Sequence, residues 1–151
     1  MGADGGVGAD GADGGDGVDP PTAERRRLIS SGGPWEASVG YSRAVSIGDS
    51  CHVSGTTDAG PDGASLHPGD AAGQARAAWS IVERALTEAG FALAEVVRTR
   101  TYVGSLADVP AVTAVHGDLF GQIRPAATLV QVAGLIHPSL LVEVEADARR
   151  G

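Results

Sequence analysis

The stretch Leu141-Val142-Glu143-Val144-Glu145-Ala146-Asp147 alternates strictly between apolar and acidic residues. Steps of two are the period of a β-strand, so Val142, Val144 and Ala146 share one face and Glu143, Glu145 and Asp147 the other. The run Val97-Arg98-Thr99-Arg100-Thr101-Tyr102 repeats the pattern with cations. Arg98 and Arg100 fall on one face, with Val97, Thr99 and Thr101 behind them. Two such strands constrain the chain to a sheet with one greasy and one charged face. The greasy face needs helices over it. The charged face is too rich in ions for an ordinary core and must meet water, a ligand or another subunit.

Two segments have the period of covering helices. Ala75, Ala78, Trp79, Val82, Ala85, Leu86 and Ala89 recur at helical spacing, with Asp70 placed as N-cap and Gly90 as the stop. Val109, Val112, His116, Leu119 and Phe120 form the apolar side of a second helix. Asp108 is its expected cap, Pro110 is tolerated in its first turn, and Gly121 ends it. Strands are expected at Tyr41–Ile47 and Ser50–Ser54, joined by a Gly48-Asp49 hairpin turn. Further strands are expected over 95–103, 126–133 and 140–148, and Leu28 and Ile29 can start a short one. The order β-β-α-β-α-β-β predicts an α+β two-layer sandwich. By alternation, Ala127, Leu129 and Gln131 are expected on the open charged face. Such a face gives a domain of this size a reason to form oligomers.

The first nineteen residues hold eight Gly and five Asp and almost nothing apolar. They cannot bury enough surface to offset the entropy of ordering, so residues 1–24 are read as a disordered tail and 25–151 as one folded domain. The tail lacks the basic start and apolar stretch of a secretory signal. The formal net charge is −8, and setting aside the five Asp leaves about −3. With no basic stripe, this balance disfavours nucleic acid as a partner. No apolar run approaches the roughly 18–20 residues that span a membrane. A single cysteine, Cys51, rules out an internal disulfide and suits the cytoplasm. All eleven basic residues are Arg, which excludes a Lys-linked Schiff base. Cys51 and His52 are strand neighbours and point to opposite faces, so they form no Cys–His pair. The four His lack short His–His spacing, and no metal site or cofactor is expected.

Three segments resemble the Rid (YjgF-like) superfamily: the hairpin from Val39-Gly40-Tyr41-Ser42-Arg43-Ala44 to Val53-Ser54-Gly55-Thr56-Thr57, the run Val96 to Val103, and Arg124-Pro125-Ala126-Ala127-Thr128 with Leu141 to Ala146. In order and at the family's spacing, they cover about residues 25–149. The resemblance implies a chorismate-mutase-like fold and a homotrimer with small-molecule clefts between subunits. The best-known members are cofactor-free deaminases that add water to reactive enamines and imines. In these, an Arg after the Pro-Ala grips the substrate carboxylate. Here that position is Ala127, whose methyl group makes no charge-assisted bond. The family's pocket cysteine position is Leu129, so a less cationic and more apolar pocket is implied. Tyr41, Gly55 and Glu143 match the other pocket positions.

These residues define the candidate site. Glu143 in a partly dry cleft would have a raised pKa and could donate a proton or orient water; the alternative is a cross-strand ion pair with Arg98 or Arg100. Gly55 and Thr56 end a strand where free backbone N–H groups can hold an oxygen, or they simply form a turn. Tyr41 either places its hydroxyl over a ligand or packs as a strand aromatic. Arg43 shares Tyr41's face and either replaces the missing cleft cation or lies on the surface. Trp35 is a lid over the cleft or an edge-packing aromatic. His137, in the last loop, is a candidate proton shuttle. His116 reads as a satisfied buried histidine. Three functions remain open: a cofactor-independent enzyme acting on imines, enamines or related carbonyl compounds; a ligand-binding or stress-response module without turnover; and a tailoring enzyme of specialised metabolism. The Lys-free, Gly/Ala/Arg-rich composition points to a GC-rich bacterial genome, where the third would fit.

Overall fold

The structure, a computed structural model, describes residues 25–151; the expected tail at 1–24 lies outside the described residues. Six strands form one sheet: β1 (Arg27–Ile29), β2 (Ala44–Ile47), β3 (Ser50–Thr56), β4 (Val96–Val103), β5 (Ala126–Gln131) and β6 (Val142–Arg149). Helix α1 (Ala71–Glu88) follows β3, and α2 (Val109–Phe120) follows β4. The strand order is β1-β2-β3-β6-β4-β5. All neighbours are antiparallel except β4 and β5. This is the expected α+β two-layer sandwich, with β1 as a short extra edge strand.

The core follows from periodicity. Val142, Val144, Ala146 and Ala148 of β6 are all buried, as are Thr99, Thr101 and Val103 of β4. Every α1 residue assigned to its apolar stripe, from Ala75 to Ala89, is buried too. Trp79 is the largest side chain in this layer, and its ring meets Phe120 of α2 edge-on at 4.9 Å. Such a contact adds about 0.5–1.5 kcal/mol beyond area burial. His116 lies against both rings, and its Nε2 is 2.8 Å from the Thr99 hydroxyl. Burial pushes its pKa down. It is therefore a half-buried histidine that favours the neutral form and is hydrogen-bonded to the Thr99 hydroxyl. Gly90 ends α1 with φ 83°, a conformation open to glycine at little cost.

The alternation of β4 and β6 also builds the opposite face. Tyr102 stands beside Glu143, Arg100 beside Glu145, and Arg98 beside Asp147. Arg100 bonds Glu145 at 3.3 Å and Asp147 at 3.1 Å, and the Tyr102 hydroxyl donates to Glu145 at 2.8 Å. His52 of β3 extends this ionic ladder to Asp147 at 2.8 Å.

Several expectations need correction. β5 joins the sheet through β4, which lies between it and β6. Parallel pairing sets Ala127 beside Thr99, Leu129 beside Thr101 and Gln131 beside Val103. Those three partners are buried under the helices, so Ala127, Leu129 and Gln131 belong to the helix side rather than to Glu143's face. Val97 is exposed because the β4–β6 register shifts there. Tyr41 precedes β2, because Glu36–Gly40 forms one wide helical turn closed by Tyr41 N–H on Glu36 O at 3.0 Å. Asp108 makes no cap with its side chain; the chain first turns through Leu106–Asp108, capped by the Ser105 hydroxyl. Asp70 does cap α1, accepting from Gly73 N–H at 2.9 Å. Asp70→Ala should therefore cost about 1 kcal/mol, whereas Asp108→Ala should stay within about 0.5 kcal/mol. Urea unfolding of both variants checks the contrast, and equal losses would contradict it.

Candidate functional site

At the end of β3 the ladder to β6 breaks. Val53 pairs with Ala146 and Thr56 with Val144, leaving Ser54 and Gly55 between paired positions. Glu143 of β6 fills the space over Gly55, where an added Cβ would overlap the carboxylate oxygen Oε1. Only a glycine lets the carboxylate lie there. The group opens into a cavity of about 720 Å³ whose walls include Trp35, Tyr41, Arg43, Gly55 and Thr56. Six of the nine candidate residues thus come together. Ala127 and Leu129 line a separate cavity of about 180 Å³ with His116, under α2. His137 is not a wall residue; its Nδ1 lies 2.9 Å from the Ser139 hydroxyl, which holds the ring within its own loop, while its neighbour Ile136 lines the main cavity.

Glu143 differs from the other β6 carboxylates. Glu145 and Asp147 are held by Arg100, but Glu143 accepts no hydrogen bond among the described residues. The ion pair considered for it with Arg98 or Arg100 does not form. Burial pushes its pKa up, Glu145 adds to the rise, and Arg43 partly opposes it. An unpaired, half-buried carboxylate of raised pKa is suited to taking up and returning a proton.

Arg43 braces the site. Its Nη1 donates to the Gly55 carbonyl at 2.7 Å and to Thr56 Oγ1 at 2.9 Å, and its Nε reaches Ser31 Oγ at 3.4 Å. Nη2 has no partner among the described residues. The guanidinium lies 5.7 Å from the centre of the Tyr41 ring, a cation–π distance. The Thr56 hydroxyl donates to Ser54 O at 2.7 Å, so it is committed to the bulge.

Two features went unforeseen. Buried Glu36 accepts from Ser30 Oγ at 2.6 Å and from Ser31 N and Oγ at 2.9 and 2.6 Å. Burial alone would raise its pKa, but these bonds and Arg43 together lower it. The ionised carboxylate pins the Ser31–Trp35 wall. Asp58 pins the opposite wall, accepting from Ser65 Oγ at 2.8 Å and from His67 N at 3.0 Å. That loop supplies Ala59, Gly60, Pro61 and Leu66 to the cavity. A Ser-Ser pair before Glu36 and an Asp in a Gly-rich loop were the available signals.

Residues 34–150 match the family described as endoribonuclease L-PSP, the YjgF/RidA-like proteins. The chain belongs to this family. Among L-PSP-family relatives, the crystal structure of Rv2704 from Mycobacterium tuberculosis superposes with a TM-score of 0.76 at 47% identity, covering 83% of this chain and 100% of that one. SCO2049 from Streptomyces coelicolor is 40% identical over 130 residues, 86% of this chain and 96% of the relative. The 3-aminoacrylate deaminase RutC of Acinetobacter baylyi is 32% identical over 108 residues, 72% of this chain and 85% of its own. L-PSP proteins typically form trimers.

The electrostatics of Glu143 make a stability prediction. A glutamate whose folded pKa is raised contributes stability below its unfolded pKa, about 4.3, and loses it as pH rises through the folded value. Glu143→Gln has no such loss. The variant should melt higher than the parent at about pH 8, with the gap closing toward about pH 4. Melting curves across this range test it; a lower melting point for the variant at high pH would mean that the carboxylate has a partner.

Proposed function

We propose that this protein is a cofactor-independent enzyme acting on imines, enamines or related carbonyl compounds at the Glu143 cavity. The observation that carries this reading is the unpaired carboxylate of raised pKa above Gly55. Ionised Glu143 takes a proton from water as the oxygen attacks the imine carbon. It returns that proton to nitrogen to give a carbinolamine, then moves the carbinol hydroxyl proton to nitrogen as the C–N bond breaks, so that ammonia leaves a ketone behind and Glu143 ends ionised. For an enamine, protonated Glu143 first delivers a proton to the terminal carbon, giving the iminium ion and the ionised carboxylate. Tyr41 and Trp35 shape the pocket, and the Gly55 bulge orients the oxygen. RutC's name, a deaminase of the enamine 3-aminoacrylate, supports this reaction class.

The working form is proposed to be a homotrimer. The ionic face of β4 and β6 and the exposed residues of β5 offer surface for neighbouring copies. In the protomer, Ala127 and Leu129 lie on β5, away from the Glu143 cavity. They can border a substrate only across a subunit interface, and Ala127 would bring no cation there. For this reason 2-iminoacid deamination in its usual form is not the favoured activity. A cytoplasmic location suits the buried free thiol of Cys51.

The test is ammonia release from freshly generated imines and enamines, with and without a 2-carboxylate. The parent should accelerate release for at least one of them. Glu143→Gln should lower the rate by about 10²–10⁴-fold with sedimentation still that of a trimer. An unchanged rate would remove Glu143 from the mechanism. Tight binding without turnover by the parent would favour a ligand-binding module.

A further inference from the structure

The main cavity has a feature that proton transfer at Glu143 does not use. Arg84 and Ile81 of α1 line it together with Arg43, and Ser31, Arg43, Ile81 and Arg84 also line an adjoining pocket of about 220 Å³. The two arginines therefore flank the junction of these spaces. Among the described residues, Arg84 makes no salt bridge and Nη2 of Arg43 has no hydrogen-bond partner. Glu88 borders only the smaller pocket, and Glu36 is occupied by Ser30 and Ser31. Among the described residues, Glu143 is the one carboxylate on the main cavity wall, so the cavity carries a proton-transfer group and two cations with hydrogen-bonding capacity to spare.

Part of the remaining wall is apolar and exposed. Ile136 is 91% exposed, Leu66 66% and Trp35 41%. Large apolar side chains left bare around one concavity mark a surface that something apolar covers. The volume, about 720 Å³, lies within the range that encloses drug-sized molecules and exceeds what a small imino acid fills.

We propose that Arg84, with Nη2 of Arg43, forms an anion subsite that receives the carboxylate of a bulky substrate, an aryl or branched-alkyl 2-imino or 2-oxo acid, whose apolar body lies against Trp35, Leu66 and Ile136. The subsite supplies from α1 the cation that Ala127 does not. A guanidinium binds a carboxylate by charge-assisted, often paired, hydrogen bonds, and its loss selectively weakens the charged ligand. This inference rests on reading the cavity as the substrate site.

Titration calorimetry of the full chain with phenylpyruvate, its methyl ester and pyruvate tests it. Arg84→Ala is the variant of choice, because an exposed side chain without internal partners leaves folding intact. The parent should bind phenylpyruvate more tightly than either the ester or pyruvate. Arg84→Ala should weaken phenylpyruvate roughly tenfold and leave the ester unchanged, and Arg84→Lys should recover part of the loss. No effect of the substitution, an equal loss for acid and ester, tighter binding of pyruvate, or no binding of phenylpyruvate to the parent would each overturn the proposal. The two readings fail separately. A selective loss in Arg84→Ala without turnover of any imine keeps the subsite and removes the enzyme. Turnover with no effect of Arg84→Ala does the reverse.

Discussion

The register of β6 against β4 governs nearly everything else. Because strand side chains alternate with a period of two, a slip by one residue would drive Glu143, Glu145 and Asp147 into the helix-covered core and expose Val142, Val144 and Ala146. Three unpaired carboxylates in that layer would be far costlier than any compensating contact. The helices therefore select the register, and the register sets the ionic face. Glu143 has its position because Val142 and Val144 have theirs.

Within that frame, three acidic residues on one strand meet three fates. Arg100 reaches along the strand to Glu145 and Asp147, and Tyr102 leans toward Glu145 although Glu143 is its ladder neighbour. Glu143 is left without a cation beside it, over a bulge that bends β3 away. Arg43 could have neutralised it. Instead its Nη1 is drawn to Gly55 O and Thr56 Oγ1, and its charge reaches Glu143 only as a partial offset. The same arginine closes the bulge and leaves the carboxylate poised. Leaving a half-buried carboxylate unpaired costs the fold stability once it ionises, which is the pH dependence expected of Glu143.

How much of this was legible follows from the range of each interaction. α1 and β6 were readable because their periodicity is local: every assigned stripe residue of α1 is buried, and β6 alternates as written. Glu143, Tyr41 and Gly55 were legible through the segments that resemble the Rid superfamily. The place of β5 was not, because its pairing with β4 depends on a crossover through α2 that no local pattern encodes. That single non-local fact turned Ala127 and Leu129 to the other face. Tyr41 was drawn into a strand because nothing local marks the turn at Glu36–Gly40, which depends on Glu36 bonding backward to Ser30 and Ser31. Arg84 carries no signal of its own in the sequence; Ile81, apolar yet outside the core stripe, is the one hint that this side of α1 borders a cavity.

The edge strand raises a last point of physics. β5 is a short run of Ala, Thr, Leu and Val whose residues are mostly exposed, paired on one side only. An uncovered apolar edge is a template for unwanted pairing, and soluble folds blunt such edges with charge, proline or a covering chain. β5 has no charged residue, and Pro125 stands just before it. The other edge is better guarded: β1 is only three residues long and begins at the last of three consecutive arginines, Arg25 to Arg27. The asymmetry makes β5 the side that gains most from a neighbour. In the proposed trimer, the same burial would bring Ala127 near a neighbouring cavity. There a methyl group can pack against an apolar ligand body but cannot hold its charge, which leaves the ligand's charge to groups such as Arg43 and Arg84 within each protomer.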